Sequence, residues 1–309
     1  MFGLALQGGG ALGAAHLGVL RALTEASLLP EVIGGTSAGS MVAAAYAWRG
    51  KLSDVEELFA DAHQMGPKLL DLNVSGIIKM VGHWVAHRQL EYLGVFKGNR
   101  LERLMDDHLE GAMIRDARMP LVIPSVDLVS GDLVLFSSRP PVDRGLDHWE
   151  FDVPLSAAVR ASTSIPIVFI PKSQPSEMLV DGGVLMNLPV SPVHHLGADR
   201  VMGVSLIVEG ENTVKPDDVV GIARTMIGAV GKQFERQQRR HATYILDVVL
   251  PSGNGVFSFD NMDEFVDIGY ETATKAMPEI KAAFSRTVPV SSKTLTASAA
   301  SSGRVYHRV

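Results

Sequence analysis

The sequence predicts an α/β fold of three layers, in which helices cover both faces of a mainly parallel central sheet. Three observations predict this class of fold. Strand-like and helix-like segments alternate along the 309 residues, two glycine-rich turns near the N-terminus each join a short apolar strand to a helix, and 46% of the residues are hydrophobic. A chain of this length and hydrophobicity can bury a large core.

The strands are predicted from short apolar runs that are bounded by turn residues. The first two runs precede the glycine-rich turns, and Ser130-Gly131-Asp132 predicts a hairpin turn between the third and the fourth. The predicted strands cover 3–6, 32–34, 121–127, 133–136, 177–180, 201–208 and 244–249.

Helices are predicted where apolar residues recur at helical spacing. Ser53 and Glu56 form a capping-box pattern, which is typical of a helix start, and Gly197 is placed to close a short helix that begins at Ser191. The longer predicted helices cover 14–26, 40–48, a segment from 53 onward, 217–241 and 263–284.

The second glycine-rich turn, Gly35-Thr36-Ser37-Ala38-Gly39, places a serine at the apex between a strand and a helix. Glycine is expected at both ends because the sharp corner leaves no room for a Cβ atom. The Ser37 hydroxyl would stand at a helix N-terminus, where the amide of Ala38 and the positive end of the helix dipole favour an oxyanion. The alternative interpretation is a helix cap, because serine is a preferred N-cap residue.

The first turn contains Gly8, Gly9, Gly10 and Gly13. Backbone amides ahead of a helix bind anions, so such a loop could cradle phosphate. The pattern is not a P-loop, because no Gly-Lys-Ser/Thr follows. It is also a poor dinucleotide fingerprint, because only Glu31 lies near the position where an acid should reach the ribose. We expect these amides to bind the same oxyanion that Ser37 would generate.

Asp181 is the candidate base for this serine. An apolar strand ends at Asp181-Gly182-Gly183, a pattern that on its own usually indicates a hairpin turn. An aspartate with an ordinary pKa of about 4 is a poor match for a serine hydroxyl. Asp181 must therefore be partly desolvated and lie within hydrogen-bond reach of Ser37 if it is to act as a general base.

The order of these three motifs resembles the patatin-like phospholipase family. Further blocks of the chain resemble the family as well, namely the Ala-Ser-Thr-Ser-Ile-Pro stretch at 161–166 followed by Phe169 and Pro171, and Asn187-Leu188-Pro189. The resemblance spans residues 2 to about 208. Motifs that occur together in the correct order are far more specific than any one of them.

The resemblance implies a serine acyl hydrolase that cleaves carboxylic esters of lipids, as a phospholipase A, lysophospholipase or lipase-esterase. It implies a catalytic dyad of Ser37 and Asp181, with no histidine, cofactor or metal. The implied oxyanion hole is Gly8, Gly9, Gly10 and Ala38, and the implied supporting turn residues are Gly35, Gly39, Gly182 and Gly183.

One position departs from the family pattern. Leu12 stands where the family often has arginine or lysine, so a positive charge near the oxyanion or the lipid head group is missing or is supplied elsewhere. Arg160 is the candidate substitute, and an arginine on a helix surface is the alternative interpretation of that residue.

Other functions stay open from the residues alone. A Ser-His-Asp triad would need a histidine after Asp181, and the candidates are His194, His195 and His241. The first two are placed to complement the charge of a helix C-terminus. A non-catalytic lipid-binding or scaffold protein of the same fold is a second alternative, and a phosphate-cofactor binding domain is a third.

Composition excludes several classes of function. The net charge of −6 and the lack of a long basic run argue against nucleic acid as a partner. The absence of cysteine excludes disulfides and thiolate metal sites. His83 and His87 form the sole pair of histidines at a spacing of four, and without an acid at helical spacing we interpret them as a helix face.

The remaining expectations concern location and domain organisation. With no signal-peptide pattern and no apolar run of about 18 residues, we expect a cytoplasmic protein with peripheral contact at a membrane surface. We expect a catalytic domain at 1–288. The apolar segment 65–96 predicts a candidate lid or cap at 65–100, with a packed helical subdomain as the alternative. Residues 289–309 are rich in serine, threonine and alanine, and predict a flexible tail.

Overall fold

A computed structural model describes residues 1–76, 94–143, 145, 148–210 and 219–285. Within these residues, nine strands form one sheet, and every strand predicted above lies within one residue of an observed strand. The strands are β1 Phe2–Leu6, β2 Val32–Gly35, β3 Leu121–Asp127, β4 Leu133–Ser137, β5 His148–Glu150, β6 Lys172–Ser173, β7 Met178–Asp181, β8 Arg200–Val208 and β9 Tyr244–Leu250.

The centre of the sheet is parallel. Strands β3, β2, β1, β8 and β9 lie side by side in that order, while β4 and β7 both pair antiparallel with β3. Leu6 at the end of β1 is in register with Gly35 at the end of β2. The two glycine-rich turns therefore leave the sheet side by side at its carboxyl edge, which is where open α/β sheets bind ligands.

Helices lie on both faces of the sheet. The described helices are α1 Ala15–Glu25, α2 Ala38–Arg49, α3 Leu52–Met65, α4 Asn99–His108, α5 Leu155–Ser162, α6 Val190–His195, α7 Val219–His241 and α8 Met262–Ser285. Short 3-10 helices cover Gly10–Ala14, Gly66–Leu69, Ile114–Asp116, Gly182–Val184 and Phe259–Asn261.

Alternate side chains of the strands enter two separate apolar layers. Leu4 and Leu6 of β1 join a core with α1, α2 and α8, while Ala5 between them joins a second core with Val190 and Val193 of α6. Successive residues of a strand point to opposite faces, so both faces of this sheet are buried. The prediction of a three-layer α/β/α fold with a mainly parallel sheet is confirmed.

The main errors in the predicted elements arise from packing rather than from local pattern. The capping-box prediction at Ser53 was wrong, because α3 begins at Leu52 and its N-cap position, Lys51, makes no side-chain cap bond. Leu52 packs against the core, which sets the start of the helix. The strands β5 and β6 and the helices α4 and α5 were not predicted. None of the described helices combines the length and hydropathy that a bilayer crossing requires.

Several predictions fall outside the part of the chain that the structure describes. The histidine pair His83 and His87 is there, as are residues 77–93 of the candidate lid and the whole of 289–309. The described part of the lid region, at 65–76 and 94–100, includes the 3-10 helix Gly66–Leu69 and the start of α4.

Candidate active site

Ser37 stands at a strained corner between β2 and α2. Its φ of 53° and ψ of −124° are in a region that residues other than glycine rarely adopt. The Ser37 side chain accepts no cap hydrogen bond from the helix amides, so the interpretation of Ser37 as a simple N-cap is not supported. A strained serine whose hydroxyl does not serve its own helix is available to another group.

The glycines on either side allow this corner to close. A Cβ atom on Gly35 would lie 2.1 Å from the carbonyl oxygen of Gly39, and a Cβ on Gly39 would lie 2.5 Å from the carbonyl oxygen of Leu6. Both neighbours are backbone atoms and cannot move aside. Gly35 and Gly39 therefore fit the supporting role predicted for them.

The Gly8–Gly9–Gly10 loop leaves β1 beside Ser37. Gly10 has a φ of +59°, and a Cβ there would lie 2.3 Å from the carbonyl oxygen of Val256, so only glycine fits at that position. A Cβ on Gly8 would lie 2.9 Å from the Ser37 Cβ atom. The loop thus runs directly against the candidate nucleophile.

The amides around Ser37 divide into occupied and available donors. Gly8 differs from the prediction, because its N–H already donates to the carbonyl of Asn187 at 3.2 Å. Among the described residues, no protein acceptor is recorded for the amides of Gly9, Gly10 and Ala38. The candidate oxyanion donors are therefore the amides of Gly9, Gly10 and Ala38. Gly8 is not among them, although its backbone lies close to Ser37.

Asp181 ends β7 and is only 6% exposed. Burial raises the pKa of its carboxyl to about 6, while hydrogen bonds from the Ser37 hydroxyl and the Gly183 amide partly oppose the rise. The Gly183 amide donates to Oδ1 at 2.7 Å. Asp181 is therefore desolvated, as a general base for serine must be, and its carboxyl is near enough to the Ser37 hydroxyl for that hydroxyl to oppose the rise in its pKa.

The C-terminal end of α5 and the residues directly after it hold both Ser37 and Asp181. Ser162 Oγ accepts a hydrogen bond from the Ser37 amide at 3.0 Å, and the carbonyl of Ser164 accepts one from the Asp181 amide at 2.9 Å. Ser162 and Ser164 are fully buried. One short stretch of chain thus sets the separation between Ser37 and Asp181.

Two cavities meet at Ser37. An apolar pocket of about 90 Å³ is lined by side chains such as Met41, Phe59 and Phe169. A larger, more polar cleft of about 540 Å³ contains Asp181 and the Gly8–Gly9–Gly10 loop. Ser37 lines both, so its hydroxyl stands where an apolar group and a polar group of one substrate would meet.

The histidines that a triad would need do not line the cavities at Ser37. His194 Nδ1 lies 2.7 Å from the carbonyl oxygen of Ala198, and its Nε2 lies 3.1 Å from that of His241. His195 lies against the ring of Trp149, with ring centroids 6.1 Å apart. Among the described residues, neither cavity at Ser37 is lined by a histidine.

One group of side chains in the described residues has the composition of a metal site. Potential ligand atoms of His148, Glu150 and Glu177 lie within 4.8 Å of one another. His148 lies 3.6 Å from Glu150 and 3.9 Å from Glu177 through different ring nitrogens. Burial and the neighbouring Glu177 raise the pKa of Glu150. The histidine thus lies between the two acids, and none of the three lines either cavity at Ser37.

The family model described as patatin-like phospholipase matches residues 4–194, which is well over half of the 309 residues. The chain belongs to the patatin-like phospholipase family. The matched range contains the Gly8–Gly9–Gly10 loop, Ser37 and Asp181, and the resemblance predicted from the sequence is confirmed.

Relatives of the chain include several proteins of the NTE family. One from Mycobacterium bovis and one from Mycobacterium tuberculosis, both described as uncharacterized, are each 30% identical to it. These matches cover 61% and 66% of this chain, and 27% and 48% of the relatives. Lysophospholipase nte1 of Aspergillus fumigatus is 30% identical over 218 residues, which cover 68% of this chain and 12% of that protein. The chain therefore spans less than half the length of these relatives.

The fold also matches a solved structure. The crystal structure of VipD from Legionella pneumophila superposes with a TM-score of 0.51, covering 90% of this chain and 66% of that one. The two sequences are 15% identical, so the match concerns the fold alone.

The position at which this patatin-like chain departs from the family pattern is buried at the site. Leu12 is 6% exposed and lines the polar cleft.

Arg160 does not supply the missing positive charge at the polar cleft, since it lines neither cavity. Nor does it lie on a helix surface. Its guanidinium is buried, donates to the carbonyls of Lys97 and Ile170, and lies 5.6 Å from the ring of Phe169. The cations that do line the cleft, Lys232, Arg236 and Arg239, come from α7.

Sequence reasoning missed the groups that hold the site together. Asn187 and Ser162 were noted as part of family-like blocks but without a role, and both bond to the loops at Ser37. His16 was not considered. It is fully buried, its Nε2 lies 2.8 Å from the carbonyl oxygen of Gln7, and burial lowers its pKa to about 4. A neutral imidazole therefore supports the start of the first glycine-rich loop.

Proposed function

We propose that this chain hydrolyses carboxylic ester bonds of lipids, with Ser37 as the nucleophile and Asp181 as the general base. Asp181 takes the proton of the Ser37 hydroxyl as Oγ attacks the acyl carbonyl carbon. The tetrahedral intermediate collapses, the C–O bond to the alcohol breaks, and Asp181 returns the proton to the departing alkoxide. Water then attacks the acyl-enzyme, giving one proton to Asp181, which passes it to Ser37 as the fatty acid leaves.

The amides of Gly9, Gly10 and Ala38 are the proposed oxyanion donors. Each is a backbone group without a recorded protein acceptor in the described residues, and Ala38 opens helix α2, whose N-terminus carries a partial positive charge. Fixed donors of this kind account for much of the rate in acyl transfer, with about two to three orders of magnitude lost when one is removed.

The observation that carries the proposal is the position of Ser37 at the junction of the two cavities. We propose that the acyl chain enters the apolar pocket, while the alcohol portion of the ester and the hydrolytic water occupy the polar cleft beside Asp181. A bulky apolar acid joined to a polar alcohol is the chemical description of a lipid ester.

Phospholipase A or lysophospholipase activity is the finer form of the proposal. It is supported by the family description and by the name of the Aspergillus fumigatus relative, lysophospholipase nte1. We also propose that the chain makes peripheral contact with a membrane surface. The proposed catalytic domain is 1–288, since the lining of both cavities and the residues that position Ser37 and Asp181 all fall within that range.

A non-catalytic scaffold of the same fold is the competing function. The strained Ser37 and the raised pKa of Asp181 oppose it, because each costs folding stability that a scaffold has no reason to carry.

The test is hydrolysis of p-nitrophenyl esters of increasing acyl length by wild type, Ser37→Ala and Ser53→Ala. Ser53 is exposed and makes no cap bond, so Ser53→Ala is a matched control. We expect kcat/KM to rise with each added CH₂ by up to about fourfold, from about 0.8 kcal/mol per buried CH₂. Ser37→Ala should lose at least about 10⁴-fold. An inactive wild type, or an active Ser37→Ala that is correctly folded, would favour the scaffold.

A further inference from the structure

Helix α7 exposes a continuous apolar stripe. Ile222, Met226, Val230 and Phe234 recur every four residues and are 48%, 64%, 45% and 40% exposed. Residues four apart lie on the same side of a helix, so these side chains form one stripe. Single exposed hydrophobic residues are ordinary, but a row of four on one helix is not.

The stripe is not exposed through loose attachment of the helix. The opposite side of α7 is held at several points along its length. A Cβ on Gly231 would lie 2.8 Å from the carbonyl of Gly183, Gln238 accepts a hydrogen bond from the Ser191 amide at 2.8 Å, and Arg239 forms two bonds of 2.7 Å to Asp247. Helix α7 is therefore anchored beside the Asp181 turn with its apolar stripe outward.

Further exposed apolar side chains lie at the mouth of the cavities. Val256 and Ile207 line the polar cleft with α7, and Phe257 lines the apolar pocket. All three are more than a third exposed. Together with the stripe, they account for seven of the fifteen large hydrophobic side chains that are exposed in the described residues. Nearly half of the exposed large hydrophobic side chains in the described residues therefore lie on α7 or in the lining of the two cavities.

Helix α7 carries a net positive charge, whereas the chain as a whole is negative. Helix α7 carries five arginine or lysine residues and one glutamate, whereas the whole chain has a net charge of −6. Lys232 and Arg236 are exposed and line the polar cleft, on the opposite flank of the exposed part of the helix from the stripe. Apolar and cationic flanks on the exposed part of one helix are the pattern of a helix that lies in the interface of an anionic bilayer.

We propose that the outer face of α7, formed by Met226, Val230, Phe234, Lys232 and Arg236, docks the protein onto the surface of an anionic lipid bilayer. The apolar side chains enter the boundary between head groups and acyl chains, and the two cations contact lipid phosphates. Because Lys232 and Arg236 also line the polar cleft, docking places one wall of the cleft at the membrane surface. The docking rests on the proposed function for its purpose, because a lipid ester then reaches Ser37 without crossing water, but its test does not depend on hydrolysis.

The first experiment measures co-sedimentation with vesicles of phosphatidylcholine alone or with 30% phosphatidylglycerol. All proteins carry Ser37→Ala, so that hydrolysis plays no part. We expect binding to the anionic vesicles, and a loss of at least tenfold in the partition coefficient for Met226→Glu/Val230→Glu. The matched control is Leu29→Glu/Val142→Glu, which places the same charges at exposed apolar positions that line neither cavity.

The second experiment addresses the cations. Lys232→Gln/Arg236→Gln should weaken binding to anionic vesicles by about fivefold for each charge removed, since one cation near such a surface contributes about 1 kcal/mol. It should also reduce the dependence of binding on salt. Lys51→Gln/Arg118→Gln removes the same charge from exposed positions remote from α7 and should leave binding unchanged. Circular dichroism and thermal unfolding verify that each variant is folded.

Three results would overturn the docking proposal. They are a failure of the parent protein to bind anionic vesicles, equal binding by the stripe variant and its parent, or control variants that lose as much binding as the α7 variants. A concentration-dependent dimer in sedimentation that Met226→Glu/Val230→Glu abolishes would assign the stripe to a second copy of the chain instead. Ester hydrolysis by wild type is measured separately, so a catalytically inactive protein that still binds through α7 would refute the proposed function and leave the docking surface in place.

Discussion

Asp127 and Asp181 are two buried aspartates on neighbouring strands with opposite electrostatics. Both lie on the antiparallel pair β3 and β7, where Asp127 faces Leu179 and Asp181 faces Ser125. Burial alone would raise the pKa of Asp127, but backbone hydrogen bonds from Met178, Val129 and Ser130 outweigh it and lower the pKa. Asp181 accepts one backbone hydrogen bond, from Gly183, and burial raises its pKa to about 6.

The contrast between the two aspartates shows what leaves a buried carboxylate able to accept a proton. Three amides stabilise the Asp127 anion, at 3.1, 3.0 and 2.9 Å, so that carboxylate is occupied by two amides of the β3–β4 turn and one of β7. Asp181 lacks such compensation and instead has the Ser37 hydroxyl as a partner. A smaller number of amide donors and a stronger desolvation together separate the candidate base from the structural aspartate.

The largest expected effect is on activity. We expect Asp181→Asn to lower kcat/KM for p-nitrophenyl butyrate by about 10³-fold or more, since an amide cannot take the Ser37 proton. Asp127→Asn should stay within about tenfold of wild type per folded molecule, since Asp127 lines neither cavity. The two rates are measured side by side after the folded fraction of each variant is determined. Equal losses would remove the distinction between the aspartates.

The pH dependence of the rate should follow the raised pKa of Asp181. The base must be ionised to accept a proton, so kcat/KM should fall about tenfold per pH unit below a midpoint near pH 6. Asp127→Asn should retain this midpoint. His16, whose pKa is lowered to about 4, makes the fold less stable as pH falls below 6.5, so rates are normalised to the folded fraction. A midpoint near pH 4 in wild type would contradict the assignment.

The two substitutions should change stability in opposite directions. The raised pKa of Asp181 means that folded-state stability is lost as pH rises through about 6. Asp181→Asn should therefore raise the free energy of unfolding at pH 8 by about 1–3 kcal/mol, and this gain should vanish near pH 4. Asp127→Asn should lower it by about 1–3 kcal/mol, because an amide N–H would face the Ser130 amide. Urea denaturation at pH 8 and pH 4 measures the free energy of unfolding of both variants. If Asp181→Asn is less stable than wild type at pH 8, this prediction is wrong.

The smallest effect is expected at the histidines. His194→Ala should change kcat/KM by less than about threefold, because both ring nitrogens of His194 face backbone carbonyls of residues that line neither cavity. His195→Ala is the companion variant. A fall of several orders of magnitude in either variant, with the protein folded, would restore the Ser-His-Asp triad and leave Asp181 as its orienting acid.

The sequence predicted what short-range pattern controls. The turn at Ser37 requires glycines at fixed offsets, and strands such as 121–127 are bounded by turn residues, so both follow from neighbouring residues. The occupation of the Gly8 amide by Asn187 could not be predicted, because these residues are remote in sequence and only the fold joins them. The burial of Arg160 has the same origin, since its acceptors at Lys97 and Ile170 are supplied by tertiary packing.

The site shows the same division. The resemblance led to Ser37 and Asp181 as candidates, but the pKa of Asp181 depends on how many amides reach it after folding. Nothing in Asp181-Gly182-Gly183 distinguishes a carboxylate with one backbone donor from a turn aspartate with three. The exposed stripe of α7 could not be predicted either. The sequence predicts a helix at 217–241, but its pattern does not show which apolar residues pack against the core.

The most direct test of the central claim is the rate at which a fluorophosphonate ester labels the protein between pH 5 and 8. Intact-mass and peptide analysis locate the adduct in wild type, Asp181→Asn and Asp127→Asn. We predict a single adduct on Ser37, a labelling rate that falls below about pH 6, a loss of about 10²-fold or more in Asp181→Asn, and little change in Asp127→Asn. An adduct on another residue, or labelling of Asp181→Asn at the wild-type rate, would contradict the pairing of Ser37 with Asp181.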